Sequence, residues 1–356
     1  MKKLVAILLA GLMTLAMAAC GGSPAPSAAG SGSPSASGEA PVGGGELVIY
    51  TPITDAEIER VVYSFEEQYG VTVKIISGSV GECMARVQAE IDNPQGDVVY
   101  GGLTYSSLSA YPGCFEEYVS VNDSKLPESF QNTNGYITGF TTQLEVLVTN
   151  NDLLQKLGVE VKGFDDLLQP QLKGKIIYAD PTSSSNAWNL LLAMLIAHGG
   201  YESDEAWEFV AKLIDQLEGT ISSSSSAVFR TVNDGEYAVG LTYEEVVADL
   251  LNDGSTTVTM VYPQEGTLAV PFYSAVIKNA KNMDNAKLFI DWIISDEMQA
   301  GAAHGTARPA NLSIPVTCPH MADISTIKVI YEDQEATVKS RDAILKRWSD
   351  LWAAAN

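Results

Sequence analysis

From residue 46 onward, short unbroken apolar runs alternate with stretches that are apolar on one face only, and this alternation predicts an α/β fold. Leu47, Val48, Ile49 and Tyr50 form such a run, stopped by Thr51-Pro52, as expected for a strand buried on both faces. Residues 55–69 then set Ile58, Val61, Val62 and Phe65 at helical spacing, and Gly70 supplies a C-cap. Strands over 71–76 and 97–100 flank a helix that opens at 77–79 and runs to about residue 91, giving a βαβαβ order. That order predicts an open parallel sheet with helices on both faces. A longer strand over 140–149 leads into a second series: a strand at 176–178, an almost wholly apolar helix over 186–198 and an amphipathic one over 206–217. Strands over 237–243 and 257–262, a run rich in β-formers over 268–277, and helices over 285–294 and 340–352 complete the chain. No repeat of fixed period is present. Two αβ series predict two lobes, lobe 1 from 46–140 with 265–356 and lobe 2 from 141–264.

Ligands of such sheets sit at the carboxyl ends of strands, where helices begin. That rule selects Thr51 and Thr54, then Ser77 and Ser79, Gly102 and Thr104, the group Ser184, Ser185 and Asn186, and finally Tyr243 and Glu244. Two serine-rich stretches, 182–186 and the five serines of 222–226 that include Ser225 and Ser226, lead straight into helices. Free N–H groups and the positive end of the helix dipole can hold an anion there, and flanking hydroxyls add donors. One serine suffices for an N-cap, so a run of five exceeds what capping requires.

The rest of the composition narrows the function. With 46% hydrophobic and 18% charged residues in 356, the chain has apolar mass for a real core. A formal charge of −23 argues against nucleic acid as a partner, since a phosphate backbone needs a basic face. Three His and four Cys show no zinc spacing, and no cofactor is expected. The hydrolase elbow, the P-loop and the dinucleotide fingerprint are absent, and Asp165-Asp166 and Glu332-Asp333 read as solvated surface, so the chain is not expected to be an enzyme.

Lys2 and Lys3 precede an uncharged run over 4–19, which at ~1.5 Å per residue falls short of a ~30 Å bilayer core and reads as a secretory signal. Met17-Ala18-Ala19-Cys20 resembles a bacterial lipobox, which would make Cys20 the lipidated first residue of the mature chain. Of residues 21–45, 23 are Gly, Ser, Pro or Ala, a flexible tether holding a folded domain off the membrane. The expected location is therefore extracytoplasmic, lipid-anchored to the cell membrane. Cys83, Cys114 and Cys318 remain, and outside the cytoplasm an odd count suggests one disulfide, Cys83 to Cys114, with Cys318 left over.

Several segments, in order, resemble the extracellular solute-binding proteins of ABC importers, in the iron(III)-type subgroup. They include Leu47-Val48-Ile49-Tyr50-Thr51, Gly96-Asp97-Val98-Val99-Tyr100-Gly101-Gly102, Tyr178-Ala179-Asp180-Pro181, Gly235-Glu236-Tyr237-Ala238-Val239-Gly240 and Val261-Tyr262-Pro263-Gln264-Glu265-Gly266. The resemblance implies a type II periplasmic-binding-protein fold, a monomer with a cleft between two lobes, closure by hinge motion, and an ABC permease as partner. Ferric-binding relatives commonly use two adjacent tyrosines as phenolate ligands, and no two tyrosines are adjacent in this chain. The serine runs with Tyr243-Glu244 look more like relatives that bind hexose phosphates or phosphonates, with serines on the phosphoryl group and a carboxylate on hydroxyls or an amine. The alternative is ferric iron or an iron chelate, held by Tyr243, Tyr105 and Glu82.

Overall fold

A computed structural model describes residues 44–53, 55–222 and 224–356. The signal, Cys20, the tether up to residue 43 and Thr54 lie outside the described residues. The strands are β1 (Glu46–Thr51), β2 (Thr72–Ser77), β3 (Val98–Leu103), β4 (Thr138–Asn150), β5 (Ile176–Ile177), β6 (Val239–Tyr243), β7 (Val258–Val261), β8 (Thr267–Val276), β9 (Arg308–Pro309) and β10 (Val329–Ile330). The helices are α1 (Asp55–Tyr69), α2 (Val80–Ala89), α3 (Ser107–Ala110), α4 (Asn151–Leu157), α5 (Ser185–Ala197), α6 (Asp204–Gln216), α7 (Ser225–Asn233), α8 (Glu244–Asn252), α9 (Met283–Ile293), α10 (Asp296–Ala302) and α11 (Gln334–Ala355).

The sheet path runs β2-β1-β3-β8-β4-β6-β5. It is mixed: the βαβαβ unit forms the expected parallel portion β2-β1-β3, and the strands beyond it do not all continue that direction. β1 pairs in parallel with β2 and β3, and β5 with β6, whereas β8 runs antiparallel between β3 and β4, and β4 antiparallel to β6 and β7. An apolar run reports burial and length but not direction, and direction depends on how the chain returns to the sheet.

The described region has two large apolar cores. One gathers Leu47, Ile49, Phe65, Tyr100, Phe140, Leu144, Phe289 and Trp292, and the other Val146, Leu147, Val148, the apolar run of α5, Trp207 and Phe209. β4 and β8 pass from one to the other: Phe140 and Leu144 face the first core and Val146 the second, while Leu268 belongs to the second and Ala269 and Val276 to the first. The last helix begins at Gln334 rather than 340, because the Asp333 side chain caps it by accepting from the Ala336 N–H at 3.0 Å. It packs Ile344 and Trp348 into the second core, Trp348 lying edge-on to Tyr178 at 5.6 Å. α11 thus runs from the β8–β10 pair along the second core.

The expected Cys83–Cys114 disulfide is not formed: Cys83, Cys114 and Cys318 are free and buried. Cys83 and Cys114 share a small core with Met84, Val87 and Val99, where burial raises both thiols and apolar packing accounts for them.

Candidate ligand-binding site

Where the two cores approach each other lies a cavity of about 450 Å³. Its wall takes Thr104, Tyr105 and Ser106 from the end of β3, Gln143 from β4, Ser185, Asn186, Trp188 and Asn189 from α5, Ser225 from α7, and Tyr243 from the end of β6. Phe272 and Tyr273 of β8 and Glu332, Gln334, Thr337 and Arg341 from the last segment close it. Two helix N-termini therefore meet at one space. α5 starts after Ser184, whose side chain accepts from the Ala187 N–H at 3.2 Å, and α7 starts after Ser224, whose side chain makes no such cap.

Of the residues selected from sequence, Thr104, Ser185, Asn186, Ser225 and Tyr243 are brought together on this wall. Others are placed elsewhere. Thr51 is fully buried and donates to the Tyr100 carbonyl at 2.7 Å, a strand-to-strand tie. Ser77 is exposed at the end of β2, and Ser79 and Glu82 form a capping box at the start of α2, with the Ser79 N–H donating to Glu82 at 2.7 Å. That box holds the Glu82 carboxyl below its ordinary range and away from Tyr105 and Tyr243. Gly102 serves packing: at φ +74° a Cβ would come within 2.5 Å of Val80 and 2.7 Å of Pro52. Ser184 is the α5 cap, and Ser226 is exposed and bonds the Ser224 hydroxyl at 2.8 Å. Glu244 is the clearest misplacement. It is 2% exposed, and Arg308 grips it with two nitrogens at 2.9 and 2.7 Å while the Tyr262 hydroxyl donates at 2.6 Å, so it is occupied away from the cavity.

The charged part of the wall was missed by sequence reasoning. Arg341 stacks its guanidinium 4.4 Å above the Trp188 ring, where burial lowers its pKa from the ordinary arginine value without neutralising a group this basic. Glu332, read as surface, is instead largely enclosed, and burial raises its carboxyl while Thr337 and Arg341 pull it partly back. Tyr243 is pushed up to about 12, first by burial and then by Glu245 and Glu145, so its phenol keeps its proton. Among the described residues no group of three His, Cys, Asp or Glu side chains could hold a metal ion. One cation, two helix N-termini and several hydroxyls and amides suit a small oxyanion carrying polar substituents.

Known proteins agree with this architecture. The structure of the periplasmic binding protein AfuA from Actinobacillus pleuropneumoniae, with fructose 6-phosphate bound, superposes with a TM-score of 0.68 at 29% identity, covering 87% of this chain and 99% of that one. An uncharacterized protein of Haemophilus influenzae is 29% identical over 85% of this chain and 90% of its own length. Iron uptake protein A1 of Synechocystis is 26% identical over 66% of this chain and 67% of its own. The fold is that of the type II periplasmic binding proteins. The family model for bacterial extracellular solute-binding proteins matches residues 60–317, most of the chain, and this protein belongs to that family.

Proposed function

We propose that the protein captures a small phosphorylated solute in the 450 Å³ cavity and delivers it to the permease of an ABC importer. The observation that carries this reading is Arg341, the cationic side chain of the wall, stacked on Trp188 beside the N-termini of α5 and α7. Its guanidinium takes the phosphoryl group, and the hydroxyls of Ser185 and Ser225 add donors. Fructose 6-phosphate, bound in the structure of AfuA, a relative of 29% identity, carries the same phosphoryl chemistry. Two lobes built on the two cores close over the solute by bending β4 and β8, with α11 riding on the core of lobe 2. The chain acts as a monomer outside the cell membrane, held there by a lipid on Cys20.

A ferric reading draws on one observation, that Tyr105 and Tyr243 share the cavity wall. Calorimetry of the ligand-stripped protein against fructose 6-phosphate, 2-aminoethylphosphonate, inorganic phosphate and ferric citrate separates the two. Heat with the phosphorus compounds and none with iron is expected. Colour and heat with ferric citrate alone, lost on Tyr243→Phe, would replace the phosphate reading with the iron one.

A further inference from the structure

Glu145, in the middle of β4, is fully buried and pairs across the ladder with Tyr243. Its hydrogen-bond partners are three neutral amides. Gln143 Nε2 donates to Oε1 at 2.8 Å, Asn189 Nδ2 to the same oxygen at 3.2 Å, and Asn186 Nδ2 to Oε2 at 2.6 Å. All three amides line the cavity, whereas the carboxyl group behind them does not. A primary amide carries its N–H groups on one side and its carbonyl oxygen on the other. Committing the N–H side to Glu145 therefore turns the oxygen elsewhere. Asn186, only 8% exposed, shows the result: its Oδ1 is buried without a partner. Gln334, also on the wall, donates Nε2 to the Tyr273 hydroxyl and likewise leaves Oε1 buried and unpartnered. A buried acceptor in this state is stabilised only when a donor reaches it.

We propose that Glu145 is a positioning residue that makes this part of the cavity hydrogen-bond accepting, so that the solute must present hydroxyl or ammonium hydrogens beside its phosphoryl group. The inference rests on the phosphorylated-solute reading and specifies the rest of the ligand. In its ionised form, which prevails above about pH 8, Glu145 suits the task because a carboxylate accepts several donors and offers none in return. A glutamine in its place would bring an N–H group of its own, and at least one of the three amides would have to turn around to accept it.

The test is calorimetry at about pH 9, where the Glu145 carboxyl, raised by burial to about 8, is ionised. The probes are fructose 6-phosphate, whose donors are hydroxyls, 2-aminoethylphosphonate, whose donor is an ammonium group, and hexyl phosphate, which has neither. Wild type should prefer one of the first two over hexyl phosphate by about tenfold or more, and which one identifies the donor. Glu145→Gln should shrink that ratio by about fivefold or more while hexyl phosphate affinity stays within about twofold. Asn186→Leu, which removes the unpartnered oxygen at similar volume, should shrink it as well, and it decides the matter if Glu145→Gln does not fold. An unchanged ratio, or parallel loss of all three probes, would make Glu145 merely structural and overturn the inference. Equal binding of all three by wild type overturns the inference alone, whereas binding of none overturns the phosphorylated-solute reading and this inference with it.

Discussion

Glu145 and Glu244 are neighbours through the β4–β6 ladder, since Glu145 pairs with Tyr243 and Glu244 follows it, yet they are held in opposite ways. Glu244 meets a guanidinium edge-on and a phenol, so its charge is matched and its position locked between α8 and β9. Glu145 meets only amides, which satisfy its oxygens but leave its charge uncompensated, and burial raises it to about 8. A carboxyl matched by a cation is a structural tie whose partner cannot be removed cheaply. A carboxyl matched by amides stays titratable near neutral pH, and its donors are side chains that also line the cavity.

The largest expected effect lies on the matched side. Arg308→Met strands Glu244 in an apolar setting and should lower the unfolding free energy by ~3–5 kcal/mol in urea titrations. A loss below ~1 kcal/mol would mean that water or Tyr262 replaces the guanidinium, and the contrast would shrink accordingly.

On the amide side the effect is a pH dependence. The folded-state pKa of Glu145 lies above its ordinary value of 4.5, so the folded form binds the proton more tightly than the unfolded one. Its contribution to stability is full below pH 4.5 and is lost as pH rises through about 8. Between about pH 5 and pH 8 the loss from this residue should be ~3 kcal/mol, and Glu145→Gln should flatten the slope. Equal slopes for wild type and variant in thermal melts would show that the amides hold the carboxyl ionised.

Smaller effects separate serines that face the solute from serines that hold helices. Ser225→Ala should weaken fructose 6-phosphate binding about tenfold, as loss of a hydrogen bond to a charged group does. Ser226→Ala, on an exposed hydroxyl off the wall, should change it by less than about twofold. Ser184→Ala should cost ~1 kcal/mol of stability through the α5 cap, read by denaturant titration. If Ser226→Ala weakens binding more than Ser225→Ala, the start of α7 is oriented differently in the bound protein.

What was legible in the chain divides along physical lines. Serine runs ahead of apolar stretches announce helix N-termini and single out Ser225, and the strand-end rule selects Ser185, Asn186 and Tyr243, because both are local or topological signals; the four meet on one wall. Arg341 was hidden: in a helix rich in charges it looks like solvated surface, and only the path of α11 across the second core sets it on Trp188. Glu332 was hidden because, beside Asp333 and ahead of the helix, it reads as an exposed acidic pair, whereas it lies on the cavity wall. The amide cluster did leave a trace. Gln143 and Glu145 are polar at alternate positions of an otherwise buried strand, and Asn186 and Asn189 sit three apart on an almost wholly apolar helix. Polar residues at buried positions imply partners, and these four are one another's. Glu244 shows the converse failure, because strand-end placement cannot reveal that a distant arginine already occupies the carboxylate.

The central claim is that Arg341 grips a phosphoryl group, and titration of fructose 6-phosphate into wild type and Arg341→Met tests it most directly. Removing a guanidinium that makes charged hydrogen bonds should weaken binding about a hundredfold, with melting behaviour close to wild type because the longer-range packing of α11 rests on Ile344 and Trp348. Binding of fructose 6-phosphate that is equally tight in both proteins would contradict the account.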